Sequence, residues 1–174
     1  MTANVIRSTI LYITTSPHVY RRLQSEIDTA VSSGRASTSA TYTEIKSIPY
    51  LQAVIYEGLR IHPPNLSLVS KRVPSEGDTL CGKFLPGGTE IAQNSWSLLR
   101  DEDIFGDDAD IFRPERFLEA EEGKRAEMER VTELSFGYGR WLCAGKYIAM
   151  MEISKVVFEV SFVYKLHIFG AVAD

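Results

Sequence analysis

The sequence predicts a mainly α fold, and three observations carry that prediction. Apolar residues recur at helical spacing in several stretches, prolines and a Ser/Thr-rich segment punctuate them, and an apolar run from Ile148 to Val160 follows a glycine-rich turn. In chain order, Ile6, Ile10 and Ile13 mark a first helix. Ser16-Pro17 then offers an N-cap and a proline at the first helical position, where its fixed φ suits a helix start. The helix that follows is expected to turn Val19, Leu23, Ile27 and Val31 inward. Ser32 to Thr43, with Gly34, has the composition of a loop. Ile48, Leu51, Ile55 and Leu59 make the next apolar stripe, and Pro63-Pro64 stops that helix by removing donors and disfavouring helical backbone before it. Glu119 to Arg130 is dense in charge and is expected to be a solvated surface segment. No internal repeat is visible.

Composition narrows the class. Hydrophobic residues are 44% of the 174, enough to build a core, and a net charge of -4 argues against a nucleic-acid surface. No signal peptide is visible. The apolar stretch Val156 to Ala173 is interrupted by Glu159, Lys165 and His167, so it is not expected to span a membrane. Cys81 and Cys143 are the two cysteines, enough for one disulfide or two free thiols.

Three motifs carry chemistry. The run Phe136-Gly137-Tyr138-Gly139-Arg140-Trp141-Leu142-Cys143-Ala144-Gly145 sets a cysteine among glycines just before a helix. Glycines permit tight turns and close approach, and a helix N-terminus favours a thiolate, the form of cysteine that ligates metals. A lone thiolate ligand suits haem iron. The same features also describe a small buried cysteine or a phosphate cradle. Upstream, Glu57 and Arg60 lie three apart on one helix face, an arrangement that most often makes a solvated surface ion pair. Between them in the chain, Phe112-Arg113-Pro114-Glu115-Arg116-Phe117 follows Asp101, Asp103, Phe105-Gly106 and Asp110, which alone reads as an acidic surface loop.

The spacing Phe-x-x-Gly-x-x-x-Cys-x-Gly resembles the haem-binding loop of the cytochrome P450 family. Glu57-Gly58-Leu59-Arg60, followed by His62-Pro63-Pro64, resembles its Glu-x-x-Arg helix, and the Pro-Glu-Arg-Phe segment resembles its third motif, all in family order. The wording of the cysteine loop, with an aromatic at position 141, looks most like fungal, pisatin-demethylase-like members. One position departs from the pattern: Trp141 stands where the family usually places Arg or His on a haem propionate, with Arg140 one position early.

The resemblance implies a single-domain portion over residues 1–174, mainly α with small β-sheets, forming the C-terminal part of the family's fold and incomplete as such. It implies haem b as cofactor, with Cys143 as the metal ligand and Arg72, Phe136, Gly139, Arg140, Trp141 and Gly145 around it. Glu57, Arg60 and Arg116 would form a buried structural triad, in which two Arg forks share one carboxylate. Leu66 to Ser70 and Lys71-Arg72 resemble the strand that lines part of the substrate pocket. Gly82 to Thr89 looks like a β-hairpin turn, and Trp96 and Arg100-Asp101 fit the short helix after it. Both cysteines are expected to be free thiols in a reducing compartment, because pairing would consume the ligand.

The implied activity is that of a monooxygenase. It would take two electrons from an NADPH-dependent reductase and insert one atom of dioxygen into a small apolar organic substrate. A haem-thiolate isomerase or dehydratase and a non-catalytic truncated remnant stand as alternatives. Met1 to Asn4 would fall at the end of the oxygen-activating helix. Aligned on Ala3, Thr2 is the second of a threonine pair and the proton-delivering acid and alcohol precede Met1; in the other register Thr2 is itself the catalytic alcohol. Ser161 to Asp174 begins like the strand after the cysteine helix. Full-length eukaryotic relatives carry an N-terminal anchor in the endoplasmic reticulum membrane, and no such anchor is visible here.

Overall fold

The structure is a computed structural model that describes residues 1–64 and 70–163. Nine α-helices and four short strands occur in the described residues. The helices are α1 (Thr2–Thr15), α2 (Pro17–Ser32), α3 (Tyr42–Lys46), α4 (Pro49–Ile61), α5 (Ser95–Leu98), α6 (Glu102–Phe105), α7 (Arg116–Glu119), α8 (Glu122–Glu133) and α9 (Lys146–Val163). The strands β1 (Lys71–Arg72), β2 (Asp78–Leu80), β3 (Lys83–Leu85) and β4 (Glu90–Ile91) make two antiparallel pairs, β1 with β4 and β2 with β3.

Helix α4 organises the rest. Ten of its residues, from Tyr50 to Ile61, are buried, and it touches α1, α2, α3, α7, α8 and α9. A helix apolar on most sides belongs inside a fold, not on its surface. Leu51, Val54, Ile55 and Leu59 face the larger core, with Val5 and Ile13 of α1, Leu23 and Ile27 of α2, and Ile153, Val157 and Phe158 of α9. Ala53 faces a second cluster with Leu99, Phe105, Phe117, Met128 and Val131. The helix ends at Ile61, two residues before the proline pair, and Arg100 Nη2 donates to the free Ile61 carbonyl at 2.7 Å.

Several elements differ in detail from the sequence reading. In α1 the buried face is Val5, Thr9 and Ile13, while Ile6 and Ile10 are half-buried. The shift of one residue has a cause: Thr9 crosses α4 at Gly58, where a Cβ would stand 2.1 Å from Thr9 Oγ1, so only a short side chain fits against the bare backbone. In α2, Val19, Leu23 and Ile27 are buried as expected, but Ala30 takes the last inward place and Val31 is half-buried. The loop after α2 is pinned. Thr41 and Glu44 form a reciprocal capping box that starts α3, Glu44 also accepts from the Ser37 N–H at 3.1 Å, and Ala36 and Ala40 are buried.

The charge-dense segment after Glu119 is a helix, not merely a solvated segment. α8 buries Met128, Val131 and Thr132, and its charged side chains cover the outer face. The hairpin spans Asp78–Leu85 with Cys81-Gly82 at its tip, so Lys83 to Leu85 form a strand and not part of the turn. Trp96 lies in α5 and Arg100 just beyond it, its guanidinium stacked 3.3 Å above the Trp96 ring centroid. Ser161 to Val163 continue α9 instead of starting a strand, and residues 164–174 lie outside the described residues, as do Leu66 to Val69 of the pocket strand. Among the described residues no helix is long and apolar enough to cross a membrane.

Candidate haem-thiolate site

A buried charge cluster ties α4 to α7. Arg60 clamps Glu57 with two hydrogen bonds, Nε to Oε2 at 2.7 Å and Nη2 to Oε1 at 2.8 Å. Their i,i+3 spacing on α4 sets this geometry, and both side chains are fully buried. Arg116, brought in by α7, donates from Nε to the same Glu57 Oε1 at 3.1 Å, and the Arg113 backbone N–H adds a third donor at 2.8 Å. Most of the remaining guanidinium protons go to backbone carbonyls. Arg60 reaches Leu99, Ala109 and Ile111, and Arg116 reaches Phe105, Asp108 and Ile111. Two cations with nearly every donor satisfied are what a buried ion cluster needs to offset desolvation.

A fourth side chain belongs to this cluster. Asp108 Oδ1 accepts from Arg116 Nη1 at 2.7 Å and its Oδ2 from Arg113 Nε at 2.5 Å. Burial alone would raise the Asp108 carboxyl, but the hydrogen bonds and charges of Arg113 and Arg116 hold it below its ordinary value. Glu57 and Asp108 together balance Arg60 and Arg116. Asp108 was not separable by sequence from its acidic neighbours; its place eight residues before Arg116 was the only available sign.

The cysteine loop is assembled from two short 3-10 turns, Leu134–Phe136 and Gly139–Trp141. Phe136 is buried against the larger core, so the loop hangs from an apolar anchor. The Cys143 N–H donates back to the Phe136 carbonyl at 2.7 Å, closing the loop. Gly137 is the position that permits this closure. Its φ is +82°, and a Cβ there would lie 2.5 Å from the Trp141 carbonyl oxygen. Gly139, with φ +57°, turns the chain in open space, whereas a Cβ at Gly145 would make only ordinary contact, 3.9 Å from Cys143 Sγ. The backbone demand therefore falls on Gly137, which the motif spacing did not single out, and on Gly139, both at positive φ.

Cys143 opens onto a cavity of about 770 Å³. Its walls come from the cysteine loop, from Ala149 and Ile153 of α9, from Val5 and Leu59, and from Lys71, Ile91 and Gln93 of the sheet region. Of the sequence-derived candidates, Thr2, Phe136, Trp141, Cys143 and Gly145 line it. Arg72, Gly139 and Arg140 are absent from that lining: Arg72 is exposed and pairs with Glu90 at 3.1 Å, and the Arg140 guanidinium lies 5.1 Å from the Trp141 ring centroid. Cys81 is exposed at the hairpin tip, and both cysteines are free thiols.

A thiol at the head of a helix opens here onto a large, mostly apolar cavity, in a fold that also holds a buried two-Arg cluster. The chain belongs to the cytochrome P450 family, whose model matches residues 1–161. The cytochrome P450 monooxygenase aba1 of Botryotinia fuckeliana is 51% identical over 159 residues, which cover 91% of this chain and 31% of that protein. The cytochrome P450 monooxygenase abl1 of Leptosphaeria maculans is 50% identical over 91% of this chain and 28% of its own length. Pisatin demethylase of Fusarium vanettenii is 38% identical over 91% of this chain and 29% of its own length. The chain thus spans roughly three-tenths of the length of these relatives.

The residues present fit a haem. A porphyrin brings most of the metal's ligands itself and needs from the protein one axial donor, flat apolar walls and a charge for its carboxylates. Cys143, the Phe136–Ile153 wall and Lys71 are of those three kinds, and all four residues border one cavity.

Proposed function

We propose that this chain is the thiolate-bearing portion of a monooxygenase that inserts one oxygen atom from dioxygen into an apolar organic substrate. The observation that carries the reading is Cys143 on the wall of a mostly apolar cavity, its loop locked by the 2.7 Å bond to the Phe136 carbonyl. Bound there, haem b would supply the chemistry of dioxygen activation, and Cys143 would be the residue that holds its iron. The chain's own part is positional. Phe136 anchors the loop in the apolar core, Gly137 and Gly139 give the loop its turns, and Glu57, Arg60 and Arg116 would brace the fold around it. Electrons would come from an NADPH-dependent reductase, as the family resemblance implies, and the whole enzyme would associate with the endoplasmic reticulum membrane. The relatives' names, a demethylase among them, support oxidation of a small organic molecule.

The test is the reduced, carbon-monoxide-bound absorption spectrum of the chain expressed with haem supplied. The wild-type chain and Cys81→Ser should both show a thiolate-type band, and Cys143→Ser should lack it. A thiolate-type band that survives Cys143→Ser, or a wild-type chain that takes up haem without that band, overturns the assignment.

A further inference from the structure

We propose that Glu133 is a positioning residue for Cys143, its carboxylate clasping the two ends of the cysteine loop together and tying them to α4. This assignment rests on the haem reading above and deepens it. Glu133 is the last residue of α8, directly before the turn Leu134–Phe136, and Lys146 is the first residue of α9, directly after Gly145. They stand thirteen residues apart in sequence, and Lys146 Nζ donates to Glu133 Oε2 at 2.7 Å. The other carboxylate oxygen, Oε1, accepts from the Tyr56 hydroxyl of α4 at 3.1 Å. Each oxygen therefore serves a different helix, and the carboxylate is held at two points.

The surroundings distinguish this contact from an ordinary surface ion pair. A helix N-terminus carries partial positive charge, so a lysine at the first position of α9, with no acidic residue in that turn, is unfavourable by itself. Glu133 supplies from outside the helix the carboxylate that the turn lacks. The pair is also largely withdrawn from water, with side-chain exposures of 16% for Lys146 and 34% for Glu133, which limits screening by salt. Tyr56 gives the clasp a fixed reference. It packs against both core clusters, its ring centroid 5.7 Å from that of Phe117. Burial and the Glu133 and Glu129 carboxylates push its hydroxyl above the ordinary value, so it stays a proton donor. Within this outer clasp lies the backbone bond from the Cys143 N–H to the Phe136 carbonyl. The clasp sets where the chain enters and leaves the loop, so the inner bond keeps its register and the sulfur its place on the cavity wall.

The experiment is amide hydrogen exchange of the full 174-residue chain without haem, read by NMR at Cys143 and at the buried amides of α2. Lys146→Met and Glu133→Ala should each speed exchange at Cys143 by roughly fivefold or more and leave the α2 amides within about twofold. Lys146→Arg, which keeps the charge, should stay close to wild type. Tyr56→Phe removes only a hydroxyl and should act in the same direction by a smaller factor, so it reads the clasp even if the other variants fold poorly. With haem supplied, Lys146→Met should lower the share of bound haem that gives the thiolate-type carbon-monoxide band, and Lys146→Arg should retain it. Unchanged exchange at Cys143 in Lys146→Met and Tyr56→Phe overturns the assignment. A rise of equal size at Cys143 and in α2 overturns it too, because Glu133 would then be a residue of general stability. So does a loss in Lys146→Arg as large as in Lys146→Met. If wild type takes up haem without the thiolate-type band, the haem reading falls on the spectrum alone, whereas the clasp stands or falls on exchange, which needs no haem.

Discussion

Arg116 donates from Nε to Glu57 Oε1 at 3.1 Å, joining two helices fifty-nine residues apart in sequence. Glu57 already holds Arg60 by two bonds, so the carboxylate is the hub through which α7 and the segment before it are fixed to α4. Neither Arg60 nor Glu57 exposes any side-chain surface, which makes every bond in the hub sensitive to loss of one member.

Replacing Arg116 by Ala should therefore cost about 3–5 kcal/mol, because it strands part of the charge on Glu57 in the interior. Glu57→Ala should cost a similar amount by stranding Arg60. The double variant should be far less destabilised than the sum, since the second removal takes away the group the first left unpaired. Urea denaturation of the four proteins measures this, and additive losses would mean that the two residues do not share a bond.

Asp108→Asn should destabilise by roughly 1.5–3 kcal/mol at neutral pH, the range for hydrogen bonds to charged groups. The pH dependence has a definite sign. The folded Asp108 carboxyl lies below its ordinary value, so its contribution is fully present above the unfolded value of about 4 and fades as pH falls through the lower folded value. The stability difference between wild type and Asp108→Asn should thus be widest near neutrality and narrow in acid. Thermal melts across that range test it, and a gap that widens on acidification contradicts the arrangement.

The crossing of α1 over α4 makes a separate prediction. Gly58→Ala places a Cβ 2.1 Å from Thr9 Oγ1 and should cost about 1–3 kcal/mol by overpacking. Thr9 Oγ1 is buried with no hydrogen-bond partner among the described residues, so Thr9→Ala alone should be close to neutral. In the Thr9→Ala background Gly58→Ala should cost clearly less than alone. Equal cost in both backgrounds would show that the helices do not cross at this pair.

What was legible in the sequence, and what was not, follows from how local each signal is. The α4 stripe at Ile48, Leu51, Ile55 and Leu59 and the proline stop depend on neighbours within a few turns, and they describe the observed helix. The spacing of Phe136, Cys143 and the glycines is likewise local, and the loop that joins Phe136 to Cys143 is closed by a bond between those two residues. Asp108 was hidden because an aspartate that bonds two arginines across a loop looks the same, in one dimension, as Asp101 or Asp110. The burial of Thr9 was hidden because a polar residue at an inward position makes sense only beside Gly58 of another helix. The strand register was hidden for the same reason: a two-residue strand has no periodicity, and only its pairing with Glu90 and Ile91 shows that Lys71 lines the cavity while Arg72 bonds Glu90. α8 escaped because three buried residues among twelve leave the charge pattern of a surface segment.

The chain alone is expected to give no substrate turnover. A haem site needs walls on both faces to exclude water and to aim proton donors, and this chain spans roughly three-tenths of the length of its relatives. The cysteine loop and the start of α9 expose Tyr138 (81%), Trp141 (57%), Tyr147 (77%) and Ile148 (59%), a density of large apolar groups that soluble monomers seldom leave open in one region. Two outcomes are expected together. Sedimentation of the isolated chain should show concentration-dependent association that falls when Tyr147 and Ile148 are both changed to Ser, substitutions on the open face of α9 that leave its buried face intact. Product formation from an apolar substrate, with NADPH and a reductase, should not exceed that of a protein-free control with equal haem. Turnover above the control that disappears in Cys143→Ser would show that the thiolate portion carries a working site by itself.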